Sequence, residues 1–320
     1  MSVNIPVVAL RDLAPEAALR RLELAVGRRI DGLLTGDHVG ALPGPGSENA
    51  DARLYQPGQD DVRRIDWNVT ARTTDVHVRD AMADRELETW ALVDASASMD
   101  FGTAAMEKRD VAAAVTVALA CIASRSGDAF GAYAVGPYGL QSSPLRSGRA
   151  HQLMVLRALC AATRAEPGMP SATLADGLVR LARHRRRGMR IVVSDLLDPD
   201  QSNWALPLRR LAATQRVLVV EVVDPRELDL PAMGYLTLVD PETGRTREVD
   251  TGSRRLRERF ARVAREHRQD NATAIRATGA AHLVVGTDGD WLRELVRFIE
   301  RQRRLRLGAA LPAMASGGAR

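Results

Sequence analysis

Residues 91–102 read ALVDASASMDFG, and this stretch decides the fold. An apolar run stops at Asp94, and Ser96 and Ser98 then follow at alternate positions. Extended back to residue 88 the run is ETWALVD, a length and composition that predict a buried strand. Strands covered on both faces read as continuous apolar segments, as parallel strands do. After the loop, AMEKRDVAAAVTVALACIASRSG predicts a long helix closing at Gly127. The stretch is therefore the turn of a strand–loop–helix unit. Its two serines are either helix caps or oxygen donors gathered with Asp94 at a strand end.

The same rhythm continues downstream. DAFGAYAVG reads as a strand, GRAHQLMVLRALCAA and LADGLVRLARHRRR as helices, and GMRIVVSD as a strand. PDQSNWALPLRRLAAT predicts a helix that Pro207 kinks or interrupts, and QRVLVVEVVD a strand. GYLTLVDPETGRTREVD breaks the alternation with two short β runs around a polar turn. The helix SRRLRERFARVAREHRQDNATAIRAT, the strand AHLVVGT and the helix DWLRELVRFIERQRR complete the series. Repeated strand–helix units imply an α/β fold with a mostly parallel sheet flanked by helices. Upstream, Leu19, Leu22, Val26, Ile30 and Leu33 keep the three-or-four spacing of an amphipathic helix over Pro15–Leu34. The expected organisation is a helix and Gly/Pro loop over 1–49, then a small β subdomain over 50–86 joined by the hairpin at 233–250. The main domain then spans 87–306, and a flexible tail 307–320.

Bulk properties narrow the function. The 320 residues are 45% hydrophobic but only 4% aromatic, so the core must rest on Val, Leu, Ile and Ala. Lys108 is the only lysine, and the 45 Lys and Arg nearly balance 40 Asp and Glu. The basic runs RHRRRGMR and RQRRLRLG lie near helix ends, where cations complement the macrodipole, so no nucleic-acid partner is expected. Cys121 and Cys160 lie in apolar helical stretches and suit a reducing compartment. The six histidines form no metal-ligand spacing, and the N-terminus lacks the pattern of a signal peptide. The longest apolar run, VAAAVTVALACIA, is too short to cross a bilayer, so the expectation is a soluble cytoplasmic protein.

In open α/β sheets, ligands bind outside the carboxyl ends of the strands. That edge collects Asp94, Ser96 and Ser98, then Ser194 and Asp195, then Asp224, and Thr287, Asp288 and Asp290; Ser171 and Thr173 lie on the loop before LADGL. Carboxylates and hydroxyls without a soft ligand suit a hard divalent cation, Mg²⁺ or Mn²⁺. Asp288 and Asp290 also suit the start of the last helix, and Asp224, before Pro225, the end of a strand.

Asp94, Ser96, Ser98, Thr173 and Asp195 together resemble the metal-ion-dependent adhesion site (MIDAS) of von Willebrand factor type A domains. The segment YQPGQDDVRRIDWNVTARTTDVHVRD resembles the signature of the family called domain of unknown function 58, through its Pro-Gly turn, Arg64 to Trp67 and Ala71-Arg72. Gln59 departs from that pattern, which usually has an acid after the glycine. Many members carry membrane-spanning helices ahead of this segment, and the present chain resembles the short soluble type. The resemblance implies a von Willebrand type A-like domain that captures a partner's carboxylate through a metal. It also implies an adaptor or co-chaperone role beside a MoxR-type AAA+ ATPase acting on a client protein. Arg64, Asp66, Trp67 and Arg72 either dock a partner or tie the β subdomain to the main domain. The competing reading is a phosphate-ester hydrolase with Asp94 as nucleophile. That class calls for an Asp where Ser96 stands and a lysine near the phosphate, whereas Lys108 falls in the first helix after the strand. No P-loop or G-x-S-x-G motif is present.

Overall fold

The computed structural model describes residues 15–34, 52–56, 62, 65, 67–72, 75–79 and 87–310, the last with gaps at 105, 126, 163, 165–168, 170 and 199. Ten strands and nine helices follow one another among the described residues. Helix α1 (Pro15–Leu34) comes first, then β1 (Ala52–Leu54), α2 (Trp67–Thr70) and β2 (His77–Arg79). The main body begins at β3 (Glu88–Asp94), followed by α3 (Lys108–Arg125), β4 (Ala129–Gly136), β5 (Gly139–Arg146), α4 (Arg149–Cys160) and α5 (Leu174–Leu181). It continues with β6 (Gly188–Ser194), α6 (Ser202–Ala212), β7 (Arg216–Val223) and α7 (Pro225–Leu228). Last come β8 (Tyr235–Val239), β9 (Thr246–Asp250), α8 (Arg254–Thr278), β10 (Ala281–Gly286) and α9 (Trp291–Ala310).

Six strands form one sheet in the order β10-β7-β6-β3-β4-β5. Every pairing is parallel except β4 with β5, an antiparallel edge hairpin. The apolar runs become its central strands: Thr89–Val93 of β3 and all of β6 are buried. Alternation splits them between two cores. Ala91, Val93, Ile191 and Val193 face α1, α3 and α9, whereas Trp90, Leu92 and Val192 face α5, α6 and α8. Gly131 of β4 makes room on the second face, because a Cβ there would lie 2.6 Å from the Trp90 ring. The ring stacks on Tyr133 and His184 with centroids 5.1 and 3.9 Å away.

Helix α1 has the predicted bounds, and its Leu19, Leu22 and Val26 are buried in the first core with α3. Pro207 sits inside α6 without ending it. The edge strand β5 has no counterpart among the strands read from the sequence. It carries Gln141, Ser142, Ser143 and Pro144, and faces solvent along much of its length. Such an edge tolerates polar residues and proline.

The polar turn at 240–244 does close a hairpin, and among the described residues β8 and β9 pair with each other, as do β1 and β2. The expected β subdomain over 50–86, joined by the hairpin at 233–250, falls in part outside the described residues. The loops before and after α1 and the tail beyond Ala310 lie outside the described residues.

Candidate metal centre

The carboxyl edge of the sheet is lined by the ends of β3, β6, β7 and β10, which carry Asp94, Ser194 and Asp195, Asp224, and Thr287. Asp94 Oδ1 accepts the Ser96 backbone N–H at 2.9 Å, which folds the loop back over the strand end. Its Oδ2 accepts the Ser194 hydroxyl at 2.6 Å, bridging the two neighbouring strands. Burial first, and the nearby Asp195 charge second, push the Asp94 carboxyl up to about 6 against these hydrogen bonds. Ser96 is positioned as N-cap of a 3-10 turn (Ala97–Asp100), yet its side chain caps nothing. Its hydroxyl instead hydrogen-bonds the hydroxyl of the buried Ser98, Oγ to Oγ at 3.1 Å.

Asp195 faces inward. Its Oδ2 accepts from Lys108 Nζ at 2.6 Å, and Glu227 Oε1 takes the same ammonium. Lys108 is 0% exposed. Burial pulls its pKa down, but Asp195 and Glu227 outweigh that and hold it above the ordinary value. Burial raises Glu227 against the pull of Lys108. Asp224 is buried too, but it accepts from the Thr103 N–H and hydroxyl, the Arg226 N–H and the Thr287 hydroxyl. Those hydrogen bonds overcome its burial and leave it below the usual carboxylate range.

Beyond Asp195 the chain turns through Leu196 at φ 55, a left-handed conformation costing a side-chain-bearing residue about 1–2 kcal/mol. His267 and Asn271 of α8 hold its carbonyl at 3.0 Å each. Strain of this kind clusters at functional sites.

The structure thus brings Asp94, Ser96 and Ser98 together, and sets Asp195 close enough for its charge to raise Asp94. Thr173 is engaged elsewhere: it caps α5, donating its hydroxyl to Asp176 at 2.7 Å and accepting the Asp176 N–H at 3.2 Å. Ser171 donates to the Ala172 carbonyl. Asp290 caps α9 through the Arg293 N–H, as its place before the last helix predicts. Of the docking candidates, Arg64 and Asp66 lie outside the described residues, and Trp67 and Arg72 are exposed, Trp67 at 68%.

Sequence reasoning missed two members of the site. Lys108 reaches the strand edge because the first residue of α3 follows the β3 loop directly; its being the only lysine was the available signal. Glu242, at the tip of the β8–β9 hairpin, accepts the Ser98 N–H at 2.9 Å across 144 residues of sequence. No local pattern reports such a contact.

The donor set fits a hard divalent cation. Two oxygens on adjacent corners of a Mg²⁺ octahedron, each about 2.1 Å from the metal, are about 3.0 Å apart, close to the Ser96–Ser98 Oγ separation of 3.1 Å. Asp195 and Glu227 share the single ammonium of Lys108, and the Asp195 charge also acts on Asp94, so this cluster carries more carboxylate than cation. Buried charge requires a counter-charge, which a divalent cation would supply. Among the described residues no three His, Cys, Asp or Glu side chains converge as a ligand set, so a cation here would need hydroxyl ligands as well.

Solved structures to which this chain is similar include BatB of Bacteroides thetaiotaomicron, 12% identical over 68% of this chain and 99% of that one, with a TM-score of 0.43. A von Willebrand factor type A protein of Catenulispora acidiphila is 11% identical over 68% of this chain and 42% of its own, with a TM-score of 0.37. In sequence, the uncharacterized protein Rv1480 of Mycobacterium tuberculosis is 50% identical over 289 residues, 90% of each chain. The model of the family described as protein of unknown function DUF58 matches residues 51–270. With more than half of its length matched, this chain belongs to that family.

Proposed function

We propose that this chain is a non-catalytic, divalent-metal-dependent protein-binding module. Asp94, Ser96 and Ser98 form the core of the metal site, with Asp195 and Thr173 as the further ligands that the adhesion-site resemblance assigns. The observation that carries the reading is the pair of serine hydroxyls 3.1 Å apart beside Asp94, on a loop where Ser96 caps no helix. Bound Mg²⁺ or Mn²⁺ would offer a partner's Asp or Glu a Lewis-acid position. Lys108 offsets the charge of Asp195 from below and holds it in place, so Asp94 is the carboxylate left to meet the cation. The role as adaptor or co-chaperone to a MoxR-type AAA+ ATPase, bringing it a carboxylate-bearing client, rests on the family resemblance.

The hydrolase alternative gains one observation, since Lys108 does reach the strand edge. Its ammonium is nonetheless fully buried and held by two carboxylates, which a phosphate would have to displace. The test is thermal melting of the full chain after EDTA treatment, with and without added Mg²⁺. The wild type is expected to gain stability by the logarithm of ligand over Kd, and Asp94→Ala to melt cooperatively without that gain. An equal Mg²⁺ response in both proteins removes the site. Hydrolysis of a generic phosphate ester that Asp94→Asn abolishes would favour the enzyme instead.

A further inference from the structure

The β8–β9 hairpin is shaped to present one side chain. Among the described residues its strands pair only with each other, and Tyr235 and Val239 on them are 81% and 54% exposed. Its base is fixed: the buried Thr251 bonds the Gly234 carbonyl through both its N–H and its hydroxyl, at 2.7 Å each, and Arg257 Nη1 holds the Thr251 carbonyl. Its tip is fixed as well. The Gly244 N–H returns to the Asp240 carbonyl at 2.8 Å, with Gly244 at φ 69. Asp240 Oδ1 accepts the backbone N–H of Glu242 at 3.0 Å, and its Oδ2 accepts the Thr243 hydroxyl. Held at both ends, the hairpin lays Glu242 Oε1 on the N–H of Ser98, whose hydroxyl belongs to the candidate metal site. Glu242 is itself exposed, and its other oxygen, Oε2, has no protein partner among the described residues.

We infer that Glu242 is the chain's own carboxylate ligand for this site, closing the shell that a partner's acid would otherwise complete. The inference rests on the metal-binding reading above and adds the identity of the resting occupant. One oxygen anchors to the Ser98 amide while the other serves the cation beside the Ser98 hydroxyl. An in-chain carboxylate on a short, anchored arm acts at high effective concentration. A partner's acid therefore gains the metal only when the Glu242 side chain is displaced.

The test uses Mn²⁺ on the full chain, with affinity from titration and water-proton relaxation reporting the waters left on the metal. Glu242→Gln keeps the oxygen that accepts from Ser98 and removes the charge. It is expected to weaken Mn²⁺ binding at least about tenfold, since losing even a group that only supports a ligand costs that much, and to raise the relaxation per bound ion as water enters. Acetate, titrated as a carboxylate probe, should then lower that relaxation in Glu242→Gln and leave the wild type unchanged. Glu248→Gln, an exposed carboxylate on the same hairpin, controls for charge alone and should match the wild type. If Asp94→Ala abolishes Mn²⁺ binding while Glu242→Gln retains wild-type affinity and relaxation, the role of Glu242 is overturned and the metal site stands. A wild-type chain that binds no Mn²⁺ overturns both.

Discussion

Replacing Lys108 with Met tests the charge arrangement behind the site. The methionine fills much of the same volume but removes the ammonium shared by Asp195 and Glu227. Lys108 is 0% exposed, so water cannot take over that role at the same place. Removing one partner of a buried ion pair costs roughly 3–5 kcal/mol, a large share of the about 5–15 kcal/mol that holds a domain together. At about 2–4 °C per kcal/mol for a domain of this size, the melting temperature should fall by roughly 6–20 °C. The loss should depend on pH. Without the ammonium, the burial that already raises Glu227 acts without the opposing pull of Lys108, so this carboxyl titrates higher in the folded chain than in the unfolded one. The folded state then binds more protons, and its stability declines as pH rises through that raised value. Lys108→Met should therefore be hurt less at pH 5 than at pH 8. Adding Glu227→Gln removes one stranded carboxylate and should restore part of the stability, a coupling that a double-mutant cycle measures. A Lys108→Met melting temperature within about 2 °C of wild type on that scale would refute the reasoning, as would a double variant no more stable than the single one.

Asp94 gives a second pH dependence. Its folded pKa of about 6 lies above the ordinary 3.8, so the metal-free chain should lose stability as pH rises through that window. Mg²⁺ binding needs the ionised carboxylate and should strengthen over the same range. Melts between pH 4.5 and 8 check both, and Asp94→Asn should flatten both dependences. In the core, Gly131→Ala would drive a Cβ against the Trp90 ring, an overpacking cost of roughly 1–3 kcal/mol. Its melting temperature and tryptophan fluorescence should both change, and unaltered values would mean that the Trp90–His184 stack adjusts freely.

The parts of the fold legible in the sequence were those that hydrophobicity writes locally. β3, β6 and β7 are apolar runs ended by polar residues, and α1 carries a single periodic face. β5 escaped because an exposed edge asks little of its side chains; Gln141, Ser142, Ser143 and Pro144 read as loop. For the site, Asp94, Ser96 and Ser98 were readable because one short loop carries all three. Thr173 and Asp195 depended on distant segments, and the structure gives each a strong partner, Asp176 and Lys108. Lys108 and Glu242 were hidden for the same physical reason. A helix start and a hairpin tip reach the strand edge through tertiary packing, which a one-dimensional pattern does not encode.

The choice of lysine at position 108 fits what the site requires. In a chain whose other strong bases are all arginine, this position needs a compact cation between two carboxylates in a fully buried space. A planar guanidinium asks for more room and for more acceptors than Asp195 and Glu227 offer. Where the chain does bury an arginine, Arg190, the side chain meets four backbone carbonyls, those of Glu88, Met189, His184 and Arg186. The ammonium is shared by Asp195 and Glu227, and it makes no contact with Asp94 among those described. A proton on Asp94, the direction in which its pKa is pushed, is one response; a divalent cation is the other. On the proposed reading, the second would set the hydroxyls of Ser96 and Ser98 beside the cation, and Glu242, which accepts the Ser98 N–H, would compete with a partner's acid for it.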